Sequence, residues 1–134
     1  MKKRRKKTKR QKLKDELEKL VKEYIKKRDN NICQKCGKKV ELQNCHASHV
    51  IPASRDWRLA FNDINLKVLC YYDHINWWHK HPIEAWKWFV DKFPDRRKYL
   101  QKKHLENQKK SWIKEFWYEE KIEHYKKLLS TKKN

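Results

Sequence analysis

The first apolar residues of the chain recur at the spacing of one helix face. Lysine and glutamate separate them, which predicts an amphipathic helix over residues 13–30 that ends near Asp29-Asn30-Asn31. Residues 1–12 contain no acidic side chain, and we expect this basic tail to be disordered until it meets a polyanion. The residues of the apolar face are Leu13, Leu17, Leu20, Val21, Tyr24 and Ile25.

From Cys33 to about His81, short runs with β character replace the helical pattern. Residues 47–51 and 66–69 are predicted strands, and a polar loop with Arg55, Asp56 and Arg58 separates them. We expect a helix to follow the second strand, starting near Tyr72.

Helical patterns return after Pro82. Pro82 and Pro94 occupy favoured first-turn positions, and they predict helices through about Phe93 and about Leu105. A last helix is predicted from about Ser111 to Leu129. The fold class is therefore α+β and mostly helical, divided into residues 1–12, 13–30, 31–82, 83–129 and 130–134. One broad stripe of the last helix is expected in the core: Trp112, Ile113, Phe116, Trp117, Ile122, Tyr125 and Leu128.

Composition points to a folded chain with an anionic partner. Charged residues make up 40% and mean hydropathy is −1.28, but seven Trp, six Tyr and four Phe provide large side chains for a core. Lys and Arg number 37 against 17 Asp and Glu, a net charge of +20. Nucleic acid fits this charge best, because phosphate binding by Lys and Arg releases counterions. An anionic membrane surface is the competing partner; no apolar run approaches the roughly 20 residues of a span or resembles a signal peptide, so we expect a cytoplasmic protein without membrane contact.

The cysteines have the spacing of a metal site. In a reducing compartment, Cys pairs bind metal more often than they form disulfides. Cys33-Gln-Lys-Cys36 has the form of a zinc knuckle, and Gly37 lets the following turn adopt a left-handed conformation. Cys70-Tyr-Tyr-Asp73 offers a second pair with Asp in the place of a fourth Cys. Three alternatives remain open: Asp73 completes a Cys₃Asp site, Cys45 supplies the fourth sulfur, or the cysteines are buried without metal.

Between the Cys pairs lie residues suited to hydrolysis of a phosphodiester. His49 belongs to the first predicted strand, Asn65 enters the second, and His74 follows nine residues later, so a hairpin followed by a helix lets them converge on one metal. A neutral His near its natural pKa can activate water, and a divalent ion can supply counter-charge. We assign His104 and His124 to surface or hydrogen-bonded positions. For His79 and His81 that reading is favoured over contact with DNA or metal.

The succession C-x-x-C, S-H-V-I-P and N-L-x-x-L-C-x-x-D-H resembles the HNH endonucleases of the ββα-metal type. Blocks over about residues 20–100 are similar to the lambdoid-phage NinG (Rap) recombination endonucleases: Tyr24 to Gly37, Ala47-Ser-His-Val and Leu59-Ala-Phe-Asn-Asp-Ile-Asn65. This resemblance implies a ββα-metal core with the zinc-knuckle-like Cys pairs, flanked by an N-terminal amphipathic helix and C-terminal helices. It also implies a phage protein in the cytoplasm of a bacterial host.

The resemblance assigns roles residue by residue. His49 matches the general base, Asn65 the residue that fixes the loop and the orientation of that His, and His74 a catalytic metal ligand; His46 is a second candidate ligand. Ser48 departs from the Asp that many members place before the base, and Asp73 departs from the usual fourth Cys. The implied cofactors are a catalytic Mg²⁺ or Mn²⁺ and a structural Zn²⁺ on Cys33, Cys36, Cys70 and Asp73. Imidazole suits Mn²⁺ better than Mg²⁺.

The predicted partner is DNA, cut with little sequence specificity. No helix has the character of a major-groove reader, and the resemblance favours branched recombination intermediates. A homodimer would let two sites cut symmetric strands, although no sequence pattern supports one. The alternatives are a non-catalytic zinc-knuckle protein that binds RNA or DNA, and an HNH-derived structural protein. The expected phosphate contacts, besides the basic tail, are Arg55, Arg58, Arg96, Arg97 and Lys98.

Overall fold

The computed structural model describes residues 5–109 and 113–131. Over these ranges the protein has four α-helices and one two-stranded antiparallel sheet, which confirms a mostly helical α+β fold. A π-helix, Tyr72–Trp78, follows the sheet directly. The helices are α1 (Lys9–Arg28), α2 (Pro82–Lys92), α3 (Pro94–Gln108) and α4 (Lys114–Ser130), and the strands are β1 (His46–His49) and β2 (Leu66–Leu69).

Helix α1 begins four residues earlier than its apolar pattern predicts. Thr8 and Gln11 form a capping box, in which each side chain accepts a hydrogen bond from the other residue's backbone N–H, at 3.2 and 3.0 Å. The prediction of a disordered tail is therefore wrong for residues 9–12, while residues 1–4 lie outside the described ranges. The helix ends as predicted, because Asn30 and Asn31 adopt φ values of 55° and 54°, which Asn tolerates better than most residues.

The two strands form a hairpin that places His46 opposite Leu69 and His49 opposite Leu66. Strand β2 has the predicted bounds. Strand β1 begins one residue before the predicted start and ends at His49, short of Ile51. Val50 N–H still donates in register to the Asn65 carbonyl at 2.8 Å, but Ile51 N–H donates to the side-chain oxygen of Asn65, also at 2.8 Å, so the backbone ladder goes no further.

Helix α1 packs against both the sheet and α4, so the two ends of the described chain meet in one core. The rings of Tyr24 and Tyr125 meet edge to face with centroids 5.8 Å apart. Tyr125 also accepts a hydrogen bond from the Asp63 backbone N–H at 2.9 Å, which ties α4 to the segment before β2. Other buried members of this core are Leu17, Val21, Ile25, Val68, Trp117 and Ile122.

Helices α2 and α3 begin at Pro82 and Pro94, as predicted. The stripe of α4 that was predicted to be buried, however, includes side chains that are exposed. Trp117, Ile122 and Tyr125 are buried as predicted, whereas Ile113 and Phe116 are 78% and 65% exposed. Ile113 lies just before α4 and Phe116 in its first turn, whereas α1, Trp57 and Phe61 pack on the helix face that carries Trp117. Ser111 and Trp112, at the predicted helix start, lie outside the described residues. Within the described ranges, no helix is long and apolar enough to span a membrane.

Candidate functional site

Cys33, Cys36, Cys70 and Asp73 lie close enough together to hold one metal ion. One ligand atom from each falls within 4.8 Å of all the others, and the thiols of Cys33 and Cys70 each donate to Asp73 Oδ2 at 3.3 Å. Ligand atoms around a tetrahedral Zn²⁺ lie about 3.6–3.8 Å apart, given its usual bond lengths to sulfur and oxygen. A small contraction around an ion therefore suits this group of side chains.

Local backbone geometry brings the two halves of this cluster together. Gly37 adopts φ +77° as predicted and donates its N–H to the Cys33 carbonyl at 2.8 Å, which closes the turn around Cys36. Gln34 N–H then donates to the Val68 carbonyl at 2.9 Å, so the knuckle lies beside β2, just before Cys70.

Two thiols of the cluster have raised pKa values. Burial is the main cause that raises the pKa of Cys70 to about 12, and neighbouring thiol and carboxyl groups add to it. Burial also raises the pKa of Cys36. A divalent cation reverses this effect, because it stabilises thiolates and releases their protons on binding.

Cys45 lies apart from this cluster. Its thiol donates to Asn31 Oδ1 at 3.7 Å, and it is not among the residues gathered around Asp73. Of the sequence alternatives, the geometry therefore favours Asp73 over Cys45 as the fourth ligand.

Three histidines form a continuous chain beside the hairpin. His46 Nδ1 lies 2.8 Å from His74 Nδ1, and His74 Nε2 lies 3.0 Å from His79 Nε2. His74 and His79 meet because the π-helix places residues five apart on one side, with the His79 N–H donating to the His74 carbonyl at 3.2 Å.

The hydrogen-bond partners of these histidines fit one consistent set of donors and acceptors. His46 Nε2 lies 2.8 Å from the Gln43 carbonyl, so it carries the proton and leaves Nδ1 as an acceptor. His74 must then donate from Nδ1, which leaves its Nε2 to accept from His79. Burial lowers the pKa of His74 to about 4, with His79 and His46 as further causes, so the imidazole is neutral at pH 7.

These spacings fit metal ligation. Two nitrogens at right angles around an ion, each at about 2.1 Å, lie about 3.0 Å apart. A single ion can use only one nitrogen of His74 and therefore sits either on the His46 side or on the His79 side. The prediction of His46 as second ligand stays a prediction, and His79 joins it as an alternative.

His49 is held as a neutral base. Its Nε2 lies 3.0 Å from the Ala60 carbonyl, so Nε2 carries the proton and Nδ1 is the basic nitrogen. Burial lowers the pKa of His49, an effect that the Ala60 hydrogen bond opposes and the nearby Lys67 reinforces. The imidazole is thus unprotonated at physiological pH, as a general base must be.

Asn65 is completely buried and organises the loop that faces His49. Its side-chain nitrogen donates to the carbonyls of Ile51 and Leu59 at 2.9 and 3.0 Å, and its side-chain oxygen accepts from Ile51 N–H. Ala60, which binds His49, is the next residue after Leu59. Asn65 therefore acts on His49 indirectly: it holds the loop that carries the Ala60 carbonyl, and this carbonyl binds His49 Nε2.

Ser48 does not occupy a metal-binding position. It is fully buried, and its hydroxyl lies 3.1 Å from Lys67 Nζ. Lys67 is itself fully buried, with Nζ 3.4 Å from the centroid of the Trp78 ring. Ser48 is thus the hydrogen-bond partner of an interior lysine.

Some of these candidate site residues line one cavity of about 530 Å³. His49, His74 and His79 line it together with apolar side chains that include Trp78 and Trp86. His46 and Asn65 do not line it. A second cavity, of about 410 Å³ between α3 and α4, includes Arg58 but none of the candidate metal ligands.

The five predicted phosphate contacts differ in accessibility. Arg55 and Lys98 are exposed. Arg58 is bound to the buried Asp56 carboxylate through Nε at 3.4 Å, and Arg97 donates to Gln101 at 3.1 Å. Arg96 packs over the Phe93 ring at 4.4 Å. Arg55 and Lys98 are therefore the two best placed to meet a phosphate.

The sequence did not predict that His79 meets His74, because residues five apart do not share a face on an ordinary α-helix. The run Trp77-Trp78-His79-Lys80-His81 gave no signal for the π-helix that pairs His79 with His74. His104 and His124 occupy the hydrogen-bonded and surface positions predicted for them: His104 Nδ1 binds Asp56 at 2.9 Å, and His124 is exposed on α4. Comparison with protein-family models, with curated proteins and with solved structures finds no match to this chain.

Proposed function

We propose that this protein is a metal-dependent endonuclease that hydrolyses phosphodiester bonds in DNA. One observation carries the proposal: His49, with its proton held on Nε2 by a backbone carbonyl, shares a cavity with His74 and His79, whose Nε2 atoms lie 3.0 Å apart. A fixed neutral base beside a pair of metal-binding nitrogens is what hydrolysis of a phosphodiester requires.

In this proposal His49 is the general base. Its Nδ1 accepts a proton from the attacking water as the oxygen forms a bond to phosphorus and the bond to the 3′-oxygen breaks. The hydrogen bond to Ala60 disperses the positive charge that develops on the ring. Asn65 keeps that acceptor in place by fixing both ends of the loop.

His74 and His79 are the proposed ligands of the catalytic metal, because both line the cavity that contains His49. His46 then accepts a hydrogen bond from His74 Nδ1 and holds that ring in the ligating tautomer. A divalent ion held there would supply counter-charge to the phosphate and the departing oxygen. Imidazole ligands favour Mn²⁺ over Mg²⁺ at such a site.

Cys33, Cys36, Cys70 and Asp73 are proposed to hold a structural Zn²⁺. Three sulfurs and one carboxylate oxygen form a closed donor set of the kind that zinc occupies in structural sites. Asp73 and His74 are adjacent on the π-helix, so an ion at this cluster would fix the first turn of the helix that carries the catalytic ligand.

DNA is the proposed substrate because of the net charge of +20 and the exposed Arg55 and Lys98. The resemblance to the HNH and NinG endonucleases, carried by the residues quoted above, supports the same assignment. It also favours branched recombination intermediates as the natural target.

A cleavage panel tests the function. The purified protein is incubated with supercoiled, nicked, linear and four-way-junction DNA, with Mg²⁺ or Mn²⁺ added. We expect cleavage by the wild type, and a loss of about 10²–10⁴-fold in rate for His49→Ala, the usual size of a general-base contribution. His124→Ala is the matched control, since it removes an exposed histidine remote from the cavity.

DNA binding separates the alternatives. Affinity should be nearly unchanged in His49→Ala, because the base contributes to the reaction and not to the charge that attracts DNA. Wild-type protein that binds DNA but cuts none of the substrates with either metal would contradict the nuclease proposal. Tighter binding to RNA than to DNA at equal salt would favour the non-catalytic zinc-knuckle alternative.

A further inference from the structure

We propose that the cavity beside His49 also binds an unstacked nucleobase, held against the indole ring of Trp86. The inference rests on the proposed nuclease function and names the feature of DNA that the site selects. That feature is a nucleotide free to leave the duplex stack close to the cleaved phosphate.

Two kinds of side chain line this cavity. His49, His74 and His79 form its polar part. The remaining lining is aliphatic, proline or tryptophan, including Pro52 from the loop after β1 and Trp86 from the start of α2. No lysine, arginine or carboxylate is among its lining residues in the described chain. A cavity that held only phosphate would have cations around it, whereas an apolar wall suits the flat face of a base.

Trp86 is fixed in the manner of a stacking platform. The fully buried Phe89 lies three residues later on α2, and the two rings are offset-stacked, with centroids 5.9 Å apart and an angle of 26° between them. Trp86 nevertheless remains 38% exposed and lines the cavity. Phe89 therefore supports the indole while part of its surface stays available to a ligand.

The size of the cavity suits a nucleoside. Its volume of about 530 Å³ lies within the range of roughly 300–1,000 Å³ typical of small-molecule sites. A base inside a duplex is stacked on both sides and must leave the stack to enter. That step is easiest for an unpaired nucleotide, so the cavity would favour bulges, flaps and branch points over continuous duplex.

Binding to a matched pair of DNA duplexes tests the inference. One duplex has a single bulged 5-iododeoxyuridine and the other is fully paired, and no Mg²⁺ or Mn²⁺ is added, so that binding is measured apart from cleavage. The wild type should prefer the bulged duplex. Trp86→Ala should bind the bulged duplex about 5- to 150-fold more weakly, the usual effect of removing a stacking aromatic, with little change for the paired one.

Control variants separate stacking from loss of an exposed aromatic. Trp86→Phe keeps a ring and should retain most of the preference. Phe116→Ala removes a more exposed ring, on α4 and outside the cavity, and should retain all of it. Irradiation of the wild-type complex should crosslink the iodinated base to Trp86, which requires no variant to fold.

Two results would overturn the inference: an unchanged bulged-to-paired ratio in Trp86→Ala, or a crosslink that maps away from the cavity. The nuclease proposal fails separately, through the cleavage panel. Capture of the base at Trp86 by a protein that cuts no DNA would support this inference and contradict nuclease activity.

Discussion

At the residue scale, Lys67 shows how burial decides the charge of a side chain. Its amine has Ser48 as a hydrogen-bond partner and the Trp78 ring beneath it. A cation–π contact contributes up to about 2 kcal/mol when desolvated, whereas burying an ammonium costs several kcal/mol. Burial therefore prevails and holds the pKa of Lys67 well below its ordinary value, so the amine is neutral over part of the range below pH 10.5.

Replacing Lys67 by Met should stabilise the fold at pH 7.5 by about 1–3 kcal/mol, the size found when buried ionic groups give way to apolar ones. The unfolded wild type binds a proton that the folded state lacks, so wild-type stability rises with pH between the folded pKa of Lys67 and about 10.5. The advantage of Lys67→Met should therefore shrink as pH increases through this window. Urea unfolding of zinc-loaded protein at pH 6, 7.5 and 9 measures the trend.

Lys35→Met is the control for this comparison, because Lys35 is exposed while its amine also lies over a tryptophan, 5.0 Å from the Trp77 ring. Its stability should change by less than about 0.5 kcal/mol at every pH. If Lys67→Met were less stable than the wild type by an amount independent of pH, the amine would be charged and held by Trp78.

At the element scale, the π-helix after β2 links the two candidate metal sites. Cys70 precedes it and Asp73 lies in its first turn, beside His74. The i to i+5 hydrogen bond from His79 to His74 then brings the second histidine back to the first. A regular α-helix would rotate these two side chains apart, so the wider helix is the element that forms the proposed catalytic pair.

Two substitutions of Asp73 should change zinc affinity at the proposed structural site in opposite directions. Asp73→Ala removes one of four ligands and should weaken zinc binding at least tenfold, while Asp73→Cys supplies a fourth sulfur and should bind more tightly than the wild type. The measurements are zinc content by native mass spectrometry and affinity by chelator competition. Thermal unfolding should follow the same order, since zinc binding to the folded state stabilises it.

Cys45→Ala is the matched control for the fourth ligand. The Cys45 thiol binds Asn31 outside the cluster, so this variant should retain wild-type zinc stoichiometry. Loss of zinc in Cys45→Ala together with normal binding in Asp73→Ala would reverse the assignment.

At the scale of the whole molecule, the positive charge surrounds a small core closed by α1 and α4. With a net charge of +20, association with DNA should depend steeply on salt. Six to ten phosphate contacts would lower affinity by about 10³–10⁵ between 50 and 200 mM salt. Arg55 and Lys98 are the exposed members of the predicted contact set, so part of this salt dependence should come from them.

The double variant Arg55→Ala/Lys98→Ala should reduce the slope of log affinity against log salt by about 2, one unit for each lost phosphate contact. Fluorescence anisotropy with a labelled duplex across a salt series measures the slope. Lys126→Ala is the comparison, because this lysine is paired with Glu16 at 3.5 Å and is not a predicted contact. An unchanged slope in the double variant would show that DNA lies against a different face.

Local rules in the sequence determined most of the elements. Apolar spacing and the two prolines placed the helices to within a few residues, and the short run with β character at residues 66–69 placed β2. Spacing also predicted the turn from Cys33 to Gly37 and Asp73 as one possible fourth ligand. Residues three apart on a tight turn lie close together whatever the rest of the chain does, so local sequence is enough to pair them. The capping box at Thr8 was readable in the same way, yet the apolar pattern alone missed it.

Only the tertiary structure decided which of these groups share a site. The meeting of His74 with His79 depends on a π-helix, the tautomer of His49 on a carbonyl eleven residues away, and the exposure of Phe116 on which face of α4 packs against α1. Each depends on contacts between segments distant in the chain or on a rare helix geometry. Sequence periodicity fixes the face of an element, but packing decides what that face meets.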